Sequence, residues 1–253
     1  KSQRLLRKIL KSLCDLRAHI FFIFEPNMSL AAIKKQQPNN IKQTNISLWA
    51  KYLKDLKRLG RIKDHQYIRA YNLIRQFGCE LIQDKEIRYR SVKNGCIVLH
   101  SGASGPERTW PDHHWKELVK LLLENFKVSF VVTKESYNLL KSLKMEGLKL
   151  EYYEGSLISF CDYIKKQKCL VAVDSMAGHL GSFLGVPVVS LFGSQNPELT
   201  KPYNKFGKII KPEEPCKHKR DHWRLCKLCL ASISPEKVNG EICQHILHIE
   251  SKL

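Results

Sequence analysis

The chain has 253 residues, 43% of them hydrophobic, which is enough to bury a core and predicts a folded protein of one large α/β domain or two small ones. No apolar run approaches the roughly 20 residues that a membrane-crossing helix needs; the best candidate, residues 20–24, has strand length. The net charge of +19 is uneven, since residues 1–90 carry 20 Lys/Arg against 7 Asp/Glu, a net +13. Either an acidic partner or a plain solvated basic surface would account for it, the partners open being nucleic acid, an anionic lipid surface and a phosphorylated glycan.

The chain begins Lys-Ser-Gln-Arg and continues as an amphipathic basic stretch, with no initiator Met and no apolar signal core. A cytoplasmic chain is expected, and one that is a fragment of a longer protein. The nine cysteines are scattered irregularly, which fits a reducing compartment and buried thiols better than a disulfide scaffold.

Leucine and isoleucine spacing predicts a helix over residues 4–16, followed by a buried strand over 20–24. Two further helices are predicted over 48–59 and 66–77, ended by Gly60 and Gly78, and 79–94 reads as a connector. From residue 96 the alternation is regular. Strands are expected over 96–100, 127–133, 148–153, 169–173 and 187–192. Helices are expected over 112–125, 135–145 and 156–167, with a short one ending at Leu184. Five strands separated by helices predict a parallel, doubly wound sheet, whose ligands bind beyond the carboxyl ends of the strands.

Three loops at such ends carry the candidate chemistry. In the first, Ser101, Gly102, Ala103 and Ser104 are small enough to let backbone N–H groups approach a phosphate. Arg108 adds a fixed positive charge, and Thr109 with Asp112 forms a candidate capping pair. A purely structural turn is the alternative. In the second, Asp174 suits sugar hydroxyls, Ser175 and the amides after it suit a phosphate, and His179 is a donor; each alone reads equally as a cap or a satisfied polar residue. The third, Gly193 to Pro197, follows the apolar run 186–192. Near the end, Cys216, Cys226 and Cys229, with His218 and His222 between them, form either a zinc site or a set of structural thiols. Ser234-Pro235-Glu236 reads as a helix start.

The first loop, through Arg108-Thr109-Trp110-Pro111, resembles the HPGAS…K-R-W-P segment of glycosyltransferase family 9. Residues 174–197 resemble its D-S-G-x-x-H…L-G-V-P-V-V-x-L-F-G-x-x-x-P signature. The likeness extends to Pro202-Tyr203 and to the Cys216…Cys226-x-x-Cys229…Ser234-Pro235-Glu236 region, and covers about residues 95–249. It implies a GT-B-like α/β fold with a Rossmann-type parallel sheet at residues 93–253 that binds the nucleotide sugar. Residues 1–92 would then form a partial, acceptor-side α/β domain.

The resemblance further implies inverting transfer of heptose from ADP-heptose to the lipopolysaccharide inner core, at the cytoplasmic face of a Gram-negative inner membrane. It implies no cofactor. The basic first third would face the acidic acceptor and the anionic membrane surface; the pattern matches no RNA-recognition module, and nucleic acid is not an expected partner. Two departures stand out. The R-x-x-x-x-G-D loop that carries the family's base is not found, which leaves Glu25, at the end of the strand expected over 20–24, as the candidate base. Met176 stands where the family has glycine, so its side chain is expected to crowd the diphosphate. A family member that binds nucleotide sugar or acidic glycan without transferring it is the alternative.

Overall fold

The computed structural model describes residues 94–103, 105–203, 207–217, 226 and 228–252, together with His65, Ile68 and Val92. The helices expected over 4–16 and 48–59, the strand over 20–24, and Glu25, Ser104, His218 and His222 lie outside the described residues. Of the helix expected over 66–77, Ile68 is described and is helical. The sheet lies within the compact unit Ile82–Leu253.

In chain order the elements are β1 (Ile97–His100), α1 (Asp112–Leu123), β2 (Val128–Val131), α2 (Tyr137–Met145), β3 (Glu151–Tyr153) and α3 (Leu157–Ile164). They continue with β4 (Cys169–Val173), α4 (Met176–Phe183), β5 (Val188–Leu191), α5 (Pro197–Thr200), β6 (Lys208–Ile210) and α6 (Pro235–Glu250). The six strands are ordered β3-β2-β1-β4-β5-β6, and every neighbouring pair is parallel. Residues of β1, β2, β4 and β5 are all buried, so these strands read as near-continuous apolar runs, as a sheet covered on both faces requires.

The helices cover the sheet through apolar stripes. α1 buries Trp115, Leu118, Val119 and Leu122, and α6 buries Val238, Ile242, Ile246 and Ile249, each at helical spacing. Ser234 caps α6 by accepting from the Lys237 N–H at 3.2 Å, and Gly185 ends α4 with φ of 74°, a conformation that favours glycine. Gly181 brings α4 against the sheet: a Cβ there would lie 2.7 Å from a Leu170 methyl and 2.9 Å from a Val188 methyl. The Trp110 indole stands edge-on to Trp115 and donates its N–H to the Ile233 carbonyl at 3.0 Å, which pins the β1–α1 connection to the start of α6.

Three expectations need correction. A sixth strand, β6, was not expected: it has only three residues and is held by pairing with β5, with Ile210 opposite Leu191. β3 is shorter than 148–153, because Leu148 and Leu150 pack on the core instead of joining the ladder. Thr109 and Asp112 do not form a capping pair. Pro111 occupies the N-cap of α1 without a side-chain bond, while the Thr109 hydroxyl donates back to the Gly105 carbonyl at 3.2 Å and closes the turn Pro106–Arg108.

Candidate functional site

The strand order reverses direction at β1 and β4. The chain leaves β1 towards β2 and β3 on one side, and leaves β4 towards β5 and β6 on the other. Connections therefore diverge at this point, and a crevice opens beyond the carboxyl ends of the two strands. His100 is in register with Ala172, so the loop after β1 and the loop after β4 begin side by side at that crevice.

On the β1 side Ser101 and Gly102 are buried, and Ala103 is half-buried against the core. Gly102 has no room for a side chain without local adjustment: a Cβ would stand 3.2 Å from the Thr133 hydroxyl and 3.3 Å from the His100 ring. Burial lowers the His100 pKa to about 4, so its imidazole is neutral at pH 7. Arg108 ends the short turn Pro106–Arg108, with its Nε 3.8 Å from a Glu107 carboxylate oxygen.

On the β4 side Asp174 is only 6% exposed; its N–H donates to the Leu191 carbonyl, and its Oδ2 has no hydrogen-bond partner. Burial raises its pKa to about 6, with the positive charge of Arg108 opposing that rise and the negative charge of Glu107 adding to it. The two loops thus feel each other's charge across the crevice. Ser175 is the N-cap of α4, yet its hydroxyl caps nothing and is buried without a partner. Met176, half-buried, is the first residue of α4, and His179 lies one turn further on. The N-terminal turn of α4 presents backbone N–H groups and the positive end of the helix dipole beside Asp174.

The structure thus brings the β1 and β4 loops together. The third loop differs. The Ser194 hydroxyl accepts the Cys226 N–H at 2.7 Å, and Asn196 caps α5 by accepting from the Glu198 N–H at 3.1 Å, so both are engaged in holding the chain. Sequence reading missed Thr133, which follows β2, lies against Gly102 and donates its N–H to the Ser136 hydroxyl oxygen at 2.8 Å. Its signal was a Thr-x-x-Ser turn at the end of an apolar strand. Among the described residues, one cluster has the donors for a metal: the sulfurs of Cys216, Cys226 and Cys229 all lie within 4.8 Å of one another.

The sequence pattern of glycosyltransferase family 9 (heptosyltransferase) matches residues 61–228. Lipopolysaccharide heptosyltransferase 1 of Pseudomonas aeruginosa is 28% identical over 126 residues, 47% of this chain and 34% of that protein. Among solved structures, E. coli ADP-heptose lps heptosyltransferase II superposes with a TM-score of 0.52 at 21% identity, over 70% of this chain and 50% of that one. E. coli heptosyltransferase WaaC with ADP gives 0.56 at 18% identity, over 72% and 57%. A family 9 glycosyl transferase from Veillonella parvula gives 0.57 at 17% identity, over 74% and 62%. This chain spans less than two thirds of each of these relatives. The superpositions establish an α/β, GT-B-like fold.

Proposed function

Because the chain belongs to glycosyltransferase family 9, we propose that the crevice between β1 and β4 receives ADP-heptose and that the chain takes part in transferring heptose to the lipopolysaccharide inner core. The observation that carries this reading is the buried, unpartnered polar pair Asp174 and Ser175 beside Arg108 at the point where the strand order reverses. Buried polar atoms without partners are costly, and a ligand bearing hydroxyls and phosphates would satisfy them. One relative was solved with ADP and with ADP-2-deoxy-2-fluoro heptose.

In this reading Asp174 takes bonds from sugar hydroxyls. Ser175 and the first amides of α4 hold the diphosphate, and His179 and Arg108 add donors and charge. The backbone of Ser101, Gly102, Ala103 and Ser104 closes on the phosphates from the other side. The acceptor hydroxyl oxygen attacks the anomeric carbon as the bond to the diphosphate breaks, and a carboxylate takes the hydroxyl proton; Glu25 is assigned that role. Residues 1–92 form the acceptor side and 93–253 the donor side. The basic first third draws the acidic glycan and the anionic surface of the inner membrane, on its cytoplasmic face. No described helix is long and apolar enough to cross a membrane.

Calorimetry with ADP and ADP-heptose tests the donor site, and a folded sample that takes up neither at millimolar ligand overturns it. Transfer to a deacylated inner-core acceptor tests the base: robust turnover by Glu25→Gln would show that another group takes the proton. A second reading, donor binding without transfer, rests on the R-x-x-x-x-G-D loop that carries the family's base not being found among the 253 residues. Binding by the folded chain with no turnover on any inner-core acceptor would select it.

A further inference from the structure

We propose that Cys216, Cys226 and Cys229 form a thiolate site for a thiophilic divalent metal ion, zinc, which clips the chain leaving β6 to the turn that enters α6. The three cysteines lie on the connection between β6 and α6, and their sulfurs are within 4.8 Å of one another. A tetrahedral ion with metal–sulfur bonds of about 2.3 Å needs sulfurs about 3.8 Å apart, so a contraction of at most about 1 Å closes the site. Cys226 and Cys229 are buried and Cys216 is half-buried, and none of the described cysteines is in a disulfide.

The turn is shaped to hold sulfur as a ligand. The Leu228 N–H donates to the Cys226 sulfur at 3.3 Å, which fixes that sulfur within the turn. The same turn is braced from behind. Besides the Ser194 contact to the Cys226 N–H, Gly193 lies so close to the turn that a Cβ there would stand 3.2 Å from the Leu230 backbone nitrogen. Leu230 and Ile233, just after the cysteines, are core residues, and the Ile233 carbonyl receives the Trp110 indole. An ion held here therefore stiffens the loop after β5 and the entry to α6 together. Three thiolates fill three of four tetrahedral positions, and water or one further side chain takes the fourth. Uptake releases the thiol protons to solvent, so affinity rises with pH.

This inference does not depend on the nucleotide-sugar reading, and its test reads metal instead of nucleotide. The full chain, purified under reducing conditions without chelator, is analysed for zinc and iron. A metal-free sample is then titrated with zinc and, as a coloured probe, with cobalt(II). The expected result is about one zinc per chain and a sulfur-to-cobalt charge-transfer band, both lost in the Cys226→Ser/Cys229→Ser double variant and kept in Cys243→Ser. On the unmutated chain, zinc is expected to slow alkylation of the three cysteines at least about tenfold, mapped by peptide mass, which keeps the test decisive if the double variant does not fold. Stoichiometric iron in place of zinc would overturn the choice of metal. Equal alkylation rates with and without zinc, or a Cys226–Cys229 disulfide in a chain that takes up no metal, would overturn the site.

Discussion

Along β4 the chain passes from one kind of interior to another within a single residue. Val173, paired with Leu191, is fully buried among apolar neighbours, whereas Asp174 is nearly as buried and leaves a carboxylate oxygen without a hydrogen bond. β1 makes the same passage from Leu99 to a buried His100 that burial keeps neutral. The body of the sheet is mainly apolar, although the Ser190 hydroxyl in β5 also goes without a partner; its carboxyl rim carries buried ionisable groups. Apolar burial stabilises the first region, and the second carries polar groups whose desolvation works against folding until a ligand meets them. Altering the rim can therefore raise stability, whereas truncating the apolar side chains of the body lowers it.

The widest separation between the regions is expected from Leu99→Ala, which leaves a hole in the body and should lower the unfolding free energy by about 2–5 kcal/mol in urea titrations. A loss under ~1 kcal/mol would mean that the sheet is not packed as described. Acid should expose the rim next. The unfolded chain protonates His100 near pH 6.5 but the fold only near pH 4. Stability that is complete above pH 6.5 is thus lost as pH falls to about 4, on the order of 3 kcal/mol, and His100→Gln should remove that part of the decline.

Asp174 has the opposite sign. Its pKa rises from 3.8 to about 6 on folding, so its contribution is favourable below pH 3.8 and disappears as pH climbs through 6. Asp174→Asn should accordingly stabilise the chain at pH 7 by about 1–3 kcal/mol in thermal unfolding. It should also weaken ADP-heptose binding by about 1–3 kcal/mol, as should His179→Ala. A variant that gains stability and keeps full affinity would detach Asp174 from the donor site. The smallest effect belongs to Met176→Gly, which should leave donor affinity unchanged or raise it while costing the first turn of α4 up to about 1 kcal/mol. Loss of binding with the fold intact would show that this loop does not match the family's.

Much of the fold is legible in the sequence, because a period of hydrophobicity lies in contiguous residues. β4 falls at 169–173 as expected, and β1 and β5 fall within a residue of the expected ends. β6 is not legible there: three residues with a lysine among them have no strand pattern of their own, and only the neighbouring β5 ladder makes them a strand. The Thr109–Asp112 pairing fails for a related reason, since sequence spacing does not reveal that Pro111 occupies the cap.

The same division runs through the site. Loop composition named the residues after β1 and β4, but that they share one crevice, that Arg108 acts on Asp174, that Thr133 backs Gly102, and that Cys216 reaches Cys226 and Cys229 are facts of strand order and packing. By itself the sequence determined the longer strands and helices of the sheet and which loops carry polar chemistry, because those depend on neighbours along the chain. Only the tertiary structure decided which loops face one another and which polar groups go unpaired, because burial and charge act through space between residues that the chain holds far apart.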